Sequence, residues 1–228
     1  MGIGLSNLVR TPRLWTLFKN YRQDWRNPAT HDHTILFSEQ EALLAIVTVS
    51  AFSLVLLKQI IETISFKRQR NDTVIRRPSI DPEVRKLEKK PLTEQMIELV
   101  ALFGRELAAQ NRSPKSEAEF LGSFAGFIAG LDIGVEASLD RHSNRGNTPD
   151  LTLRRDGEMM LFEAKHGRPS LNFVNASVAQ MTQYLDATGA RSGLIFFWIS
   201  NGKLESESKR IPLGEKEIWL VGAEASSM

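Results

Sequence analysis

The chain of 228 residues contains no cysteine. This absence excludes disulfide bonds and cysteine-ligated zinc, and it fits a reducing compartment such as the cytosol. Its four histidines form no tight cluster, which argues against a histidine metal site. No internal repeat is present, so repeat architectures are excluded as well. The rest of the composition, 42% apolar and 25% charged, is ordinary for a globular protein.

One long run of the sequence is both strongly apolar and uncharged. The sixteen residues from Ala42 to Leu57 carry none, and a snorkelling Lys58 would extend the span to Ile61. At ~1.5 Å per residue, sixteen residues reach about 24 Å, against a hydrocarbon core of ~30 Å. The run is apolar around its whole circumference and must be buried in lipid or in protein. It predicts a transmembrane helix over 41–64, with burial in the dimer interface of a soluble protein as the alternative.

Basic segments flank this predicted helix on both sides. Residues 1–40 are amphipathic and basic, which predicts a helix that lies on a membrane surface or packs in the ordinary way. Residues 65–92 are polar and contain prolines, which predicts a linker whose basic runs suit anionic lipid or nucleic acid. The positive-inside rule then predicts an inner-membrane protein with its C-terminal domain in the cytoplasm. A cytoplasmic location is the alternative.

Within the C-terminal domain, residues 93–228, a turn signal predicts the register of two strands. Asp156-Gly157 favours a two-residue hairpin because both central positions of that turn favour positive φ. Asp150 then lies directly opposite Glu163, with β-carbons about 4.5–5.5 Å apart. Two carboxylates at that separation repel each other unless a divalent cation lies between them. Alternation places Lys165 on the same face, and the opposite face is apolar: Leu151, Leu153, Met160 and Phe162.

The remaining pattern predicts the order α-α-β-β-β-α-β-β. Thr93 is predicted to cap a helix that runs to Ala109, and a second helix ends near Leu131. Gly122, Gly126 and Gly130 share one face of that second helix, which predicts close packing against the sheet. Further elements are predicted at 134–139 (strand), 176–186 (helix), 192–199 (a central strand) and 217–221 (strand). The predicted class is α/β, with a mixed sheet flanked by helices.

This arrangement resembles the PD-(D/E)xK superfamily of nucleases, which has the restriction-endonuclease-like fold. Pro149-Asp150 matches the first motif, and Glu163-Ala164-Lys165 matches the second. Upstream, Ser116-x-x-Glu119 is similar to the Ser-x-x-Glu segment of archaeal Holliday-junction resolvases, with Glu117 as the second choice. The same residues also match a helix capping box. Gln180, followed by a tyrosine four residues later, is similar to the Gln that many members carry after Glu-x-Lys.

The resemblance implies a core of α-β-β-β-α-β and metal-assisted hydrolysis of DNA phosphodiesters. Asp150, Glu163 and the backbone carbonyl of Ala164 would hold Mg²⁺ or Mn²⁺, and Lys165 would orient the nucleophile. Glu119 and Gln180 are the further catalytic candidates. A role in defence against foreign DNA follows by analogy only. The alternatives are a soluble structure-specific nuclease or resolvase, or a catalytically silent scaffold in which Lys165 forms only a structural ion pair.

Charge is divided unevenly between the two parts of the chain, although the net charge is only +2. Residues 1–92 carry 15 Lys and Arg against 9 Asp and Glu, whereas residues 93–228 carry 14 against 18. A protein that binds DNA on its own normally shows a basic surface. The positive surface that binds DNA would therefore have to come from the basic N-terminal part, from a homo-oligomer or from a partner protein. Arg141, His142, Arg145 and Arg168 flank the predicted site and are candidates for phosphate contacts.

Overall fold

The computed structural model describes residues 12–26, 38–139, 148–167, 169–198 and 208–222. It divides into two compact units, Met1–Ile61 and Glu62–Met228. Among the described residues, the first unit contains helix α1 (Pro12–Tyr21), a π-helical turn (Arg22–Arg26) and the beginning of helix α2 (Glu39–Leu87). Much of the predicted amphipathic segment, residues 1–11 and 27–37, lies outside the described residues.

Helix α2 begins at a capping box and contains the uncharged run. The Glu41 carboxylate accepts hydrogen bonds from the backbone N–H and the hydroxyl of Ser38, both at 2.8 Å, and Ser38 Oγ accepts from the Glu41 N–H. In the described part of the chain, α2 is the one helix long and apolar enough to cross a membrane. Only 6% of its most apolar window is buried within the protein. Its apolar side chains therefore need a cover that the described part of the chain does not provide.

The second unit is built on a mixed six-stranded sheet, and the fold class is α+β. The strands are β1 (Glu136–Leu139), β2 (Leu151–Arg155), β3 (Glu158–His166), β4 (Ser192–Trp198), β5 (Ser208–Leu213) and β6 (Lys216–Val221). Their spatial order is β1-β2-β3-β4-β6-β5. The three central strands β3, β4 and β6 run parallel to their neighbours in that group, and the outer pairs are antiparallel. As predicted, β4 is a buried central strand.

Helices cover both faces of this sheet. One face packs on α3 (Leu92–Ala109), α4 (Glu117–Leu131) and the end of α2. The other face packs on α5 (Leu171–Thr188). The predicted apolar stripe on the hairpin is confirmed, because its four side chains are fully buried on the first face: Leu151, Leu153, Met160 and Phe162. The next residues along β3 alternate between these two faces, so Glu163 and Lys165 point to the α5 side.

The glycines of α4 pack against a helix, and the prediction that they pack against the sheet was wrong. A Cβ placed on Gly122 would lie 2.3 Å from the carbonyl oxygen of Glu62, and one on Gly126 would lie 2.3 Å from that of Phe66. Gly130 meets Arg70 and Thr73 in the same way. The backbone of α2 therefore lies in the groove that these glycines leave on α4.

The predicted linker at 65–92 was also wrong for most of its length, because α2 continues as a helix to Leu87. Pro78 and Pro82 lie inside the helix, where proline usually ends or kinks it. One side of the segment is nevertheless buried against the core through Ile80, Val84 and Leu87. Packing of this kind stabilises a helix that local propensity alone would not support.

Two smaller predictions also need correction. Helix α3 has Pro91 at its N-cap without a side-chain cap, so Thr93 lies inside the helix and does not cap it. Strand β5 was missed, because its exposed sequence Ser-Lys-Arg-Ile-Pro-Leu has weak apolar alternation and contains a proline. Its position at the edge of the sheet tolerates that proline.

Candidate active site

The predicted hairpin register is confirmed. Leu151 pairs with Phe162 and Arg155 pairs with Glu158. The turn residues Asp156 and Gly157 have φ values of 51° and 85°, as a two-residue turn of this type requires.

Asp150 is held against β3 where the regular ladder ends. Its carboxylate oxygen Oδ2 accepts a hydrogen bond from the Ala164 N–H at 2.8 Å. Its own backbone N–H donates to Oε2 of Glu163 at 3.1 Å. These two backbone-to-side-chain bonds lie one step beyond the last strand pair and bring the two acidic residues together, as the register predicted.

Lys165 extends this cluster toward helix α5. Its ammonium group donates to Oε1 of Glu163 at 2.7 Å and to Oε1 of Gln180 at 2.9 Å. The amide nitrogen of Gln180 in turn donates to the hydroxyl of Tyr184, one helical turn further along. Asp150, Glu163, Lys165, Gln180 and Tyr184 thus form one continuous polar chain, which we call the acidic cluster. Gln180 is fixed at both ends of its amide.

The acidic cluster lies near the carboxyl ends of the parallel strands. Glu163 and Lys165 occupy the last third of β3, and β4 runs parallel beside them. Ligands in sheets with parallel central strands bind outside the carboxyl ends of the strands. A cavity of about 560 Å³ lies at the other end of the sheet, beside the β2–β3 and β5–β6 turns, and none of the acidic cluster lines it.

Burial dominates the electrostatics of Glu163, which is only 5% exposed. Loss of solvation raises the pKa of its carboxyl above the ordinary 4.5, and the negative charge of Glu117 raises it further. The hydrogen bond and charge of Lys165, together with the Asp150 N–H, act in the opposite direction without cancelling the effect of burial. The pKa of Tyr184 is likewise raised, first by burial and then by the charges of Glu163 and Asp150. Burial is therefore the main cause of both shifts.

This shift predicts how stability depends on pH in the metal-free protein. The folded state binds the Glu163 proton more tightly than the unfolded state does, so the free energy of unfolding falls as pH rises from about 4.5 through the raised pKa. Glu163→Gln lacks the titrating group and should not show this decline. Thermal unfolding in EDTA between about pH 4 and about pH 8 measures the difference. Glu158→Gln, an exposed carboxyl on the same strand, should keep the wild-type profile.

Of the two upstream carboxylates, Glu117 lies within electrostatic reach of Glu163, whereas Glu119 is engaged elsewhere. Ser116 is the N-cap of α4, and its hydroxyl accepts from the Glu119 N–H at 3.2 Å. The Glu119 side chain accepts from the Lys115 N–H at 2.8 Å. Glu119 is thus engaged at the N-terminus of α4, whereas Glu117 is exposed and makes only a small contribution to the pKa of Glu163.

The oxygen-rich donor set of the cluster fits a hard divalent cation. Asp150 and Glu163 supply carboxylate oxygens, the ligands that Mg²⁺ prefers. In an extended strand the N–H and C=O of one residue point to the same side. Because the Ala164 N–H bonds Asp150, its carbonyl also points toward the carboxylates. Among the described residues, no group of three His, Cys, Asp or Glu side chains could hold a metal ion. A cation at Asp150 and Glu163 would therefore need the Ala164 carbonyl as a third ligand.

The sequence predicts basic side chains in the loops that flank the acidic cluster. Arg141, His142, Arg145 and Arg168 lie outside the described residues. His166 faces away from the cluster, as predicted, and packs against Trp198 with ring centroids 4.4 Å apart and the ring planes tilted by 48°. Comparisons of the chain with protein-family models, curated proteins and solved structures find no match. Inference about function therefore depends on the acidic cluster itself.

Proposed function

We propose that this protein is a metal-dependent nuclease of the PD-(D/E)xK type that hydrolyses DNA phosphodiester bonds. One observation carries the proposal: Asp150, Glu163 and Lys165 converge at the carboxyl end of β3 with a lysine bonded to the more buried carboxylate. The order α4-β1-β2-β3-α5-β4 along the chain agrees with the α-β-β-β-α-β core expected for this fold.

In this proposal Asp150, Glu163 and the Ala164 carbonyl would hold Mg²⁺ or Mn²⁺. When bound, the cation would supply Lewis-acid activation and charge neutralisation at the phosphate. The carboxylates are suited to this role because the Ala164 N–H orients Asp150, and Lys165 with the Asp150 N–H orients Glu163. Binding residues that are held in advance by neighbouring groups lose less freedom when the ligand binds.

Lys165 would act on the phosphate. Its ammonium group is partly exposed, with 18% of the side chain accessible, whereas Glu163 is closed off from solvent. A positive charge at the entrance of the cluster can stabilise the negative charge that develops on phosphate oxygens during hydrolysis. Gln180 keeps the ammonium group in place from the opposite side.

Replacement of Gln180 tests this positioning role. We expect Gln180→Leu to lower kcat by about 10- to 100-fold with a small change in KM, because Lys165 loses a fixed partner while the carboxylates remain. Steady-state cleavage kinetics would measure both constants. Gln183→Leu is the matched control, since Gln183 is an exposed residue on the same helix. Equal losses in the two variants would contradict the role of Gln180.

The direct experiment is DNA cleavage by the full chain in detergent. Supercoiled plasmid and branched DNA are incubated with Mg²⁺, with Mn²⁺ and with EDTA. The proposal expects nicked or linear products with either metal and none with EDTA. Intact DNA under all three conditions, from a protein shown to be folded, would contradict an autonomous nuclease.

We further propose that α2 anchors the chain in the inner membrane with residues 93–228 in the cytoplasm. The exposed apolar side chains of the first half of α2 support this proposal, as does the basic flank that follows them. Extraction by alkaline carbonate would release a peripheral protein and leave an anchored one in the membrane. Because the chain has no cysteine, one cysteine introduced into the second unit would report its side of the membrane by thiol labelling.

A second candidate is a scaffold that does not hydrolyse DNA. The hydrogen bonds of the acidic cluster favour this candidate. The Glu163 carboxylate already accepts from the Lys165 ammonium group and from the Asp150 N–H, so the protein alone satisfies it. The acidic charge of residues 93–228 also suits a protein partner better than DNA. A folded wild-type protein that neither binds Mn²⁺ nor cleaves DNA would favour this candidate.

A further inference from the structure

The exposed side of α2 carries a regular stripe that nothing in the described part of the chain covers. Ile64, Arg68, Asn71 and Ile75 follow one another at alternating steps of four and three residues, and all four are exposed. Ile64 is 61% exposed and Ile75 is 76% exposed, so two large apolar side chains on this side face solvent. The same spacing runs back along the sequence through Val47, Ser50, Leu54, Leu57 and Ile61. Alternating steps of three and four residues separate the a and d positions of a coiled coil. Arg68 and Ile75 are therefore at a positions, and Ile64 and Asn71 are at d positions.

The opposite side of the same helix is already occupied. Phe66, Thr73 and Ile80 recur every seven residues at the f position of this heptad, furthest from the stripe. Phe66 and Thr73 lie against the glycines of α4, and Ile80 belongs to the core. A partner helix on the stripe would therefore meet the free side of α2.

The charges beside the stripe favour, as its partner, α2 of a second copy of the chain in parallel orientation. In a parallel pair, a g residue of one helix meets the e residue five positions later in the other. Lys67 at g would meet Asp72 at e, and Asp81 at g would meet Lys86 at e. Lys67 and Lys86 have no ion pair within the described residues. Asp72 bonds Arg112 at 2.6 Å, and Asp81 bonds Arg85 at 2.6 Å within its own helix. These carboxylates keep 30% and 27% of their side chains exposed, so each can accept a second cation.

A lipid surface explains the stripe less well. Ile75 lies eleven residues beyond Ile64, which is about 16 Å along the helix axis. Lys67, Arg68 and Asn71 lie between them, where the helix has already become polar. One bilayer edge would not cover both isoleucines, whereas a second helix running alongside would.

We propose that the stripe Ile64–Arg68–Asn71–Ile75 is the seam of a parallel homodimer, in which α2 of one chain packs on α2 of a second copy. Asn71 would face its counterpart, and an asparagine pair buried in a seam fixes the register of two helices at some cost in stability. Arg68 is long enough to carry its guanidinium group out of the seam. The proposal is independent of the nuclease assignment.

The absence of cysteine makes cross-linking a clean test. Ile75→Cys places identical thiols at a seam position, where paired α-carbons fall within the range of about 4.4–6.8 Å that a disulfide requires. Arg70→Cys is the control, since this residue is exposed on the same helix outside the seam. Full-length protein in detergent is oxidised, and covalent dimer is measured on a denaturing gel. The proposal expects dimer for position 75 and little for position 70.

A second measurement does not depend on oxidation. Ile75→Glu should raise the dimer dissociation constant by at least about 100-fold, because two buried isoleucines are replaced by two negative charges that face each other. Sedimentation in detergent gives the mass of the wild type and the variant, and circular dichroism checks that both are folded. A monomeric wild type, cross-linking equal at the two positions, or a variant as dimeric as the wild type would each overturn the proposal.

Discussion

Asp150→Asn should lower metal-dependent cleavage of DNA by on the order of 10³-fold, because the substitution removes a charged oxygen ligand and its counter-charge for the cation. Asparagine keeps the size of the side chain, and its amide oxygen can still accept from the Ala164 N–H. The fold should therefore be retained while the chemistry is lost. Lys165→Met should show a loss of similar size, because it removes the only ammonium group bonded to the cluster among the described residues.

The matched control for these variants is Glu158→Gln. Glu158 is an exposed carboxylate on the same strand, five residues before Glu163. Initial rates of plasmid nicking, measured for each purified protein at equal concentration, give the comparison. If Glu158→Gln lost as much activity as Asp150→Asn, or if Asp150→Asn cleaved like the wild type, the cluster would not be the site of hydrolysis.

Gly126→Ala should destabilise the second unit by about 3 kcal/mol, an overpacking cost at the upper end of the usual range. The added methyl group would lie 2.3 Å from the carbonyl oxygen of Phe66, and that oxygen belongs to a helix backbone that cannot move alone. The sign of this effect is informative, since Gly→Ala inside a helix ordinarily stabilises by about 1 kcal/mol. Denaturant unfolding followed by tryptophan fluorescence would measure the change.

Ala129→Ser provides the comparison for Gly126→Ala. It adds one atom to the same helix at a partly exposed position, and we expect a change within about 0.5 kcal/mol. A neutral or stabilising Gly126→Ala would mean that α2 and α4 are not in backbone contact. The result depends only on the packing of α2 against α4 and is independent of the proposed activity.

The convergence of Asp150, Glu163 and Lys165 was predictable because it follows from short-range rules. Asp156-Gly157 determines the turn, the turn determines the register, and the strand period of two then fixes which side chains share a face. Each step involves residues fewer than twenty positions apart. The apolar run in α2 was predictable for the same reason, since its composition alone requires a helix buried in something apolar.

The errors concern contacts between residues far apart in the chain. Nothing local indicates that α4 would pack its glycines against residues 62–73, because the side of that segment that is buried carries polar side chains such as Glu62, Gln69 and Thr73. Pro78 and Pro82 made the same segment look like a linker, whereas the core around Ile80, Val84 and Leu87 keeps it helical. The choice between Glu119 and Glu117 could not be made from the sequence, since Glu119 matches both the capping box and the nuclease motif.

Binding of Mn²⁺ tests the central claim most directly, because it needs neither the correct DNA substrate nor a partner. Free Mn²⁺ is titrated against the wild type, Asp150→Asn, Glu163→Gln and the control Glu158→Gln by electron paramagnetic resonance. A divalent cation site at Asp150 and Glu163 predicts saturable binding by the wild type and by the control, and its loss in the other two variants. Absence of binding by the folded wild type, or equal binding by all four proteins, would contradict the assignment of the acidic cluster as a metal site.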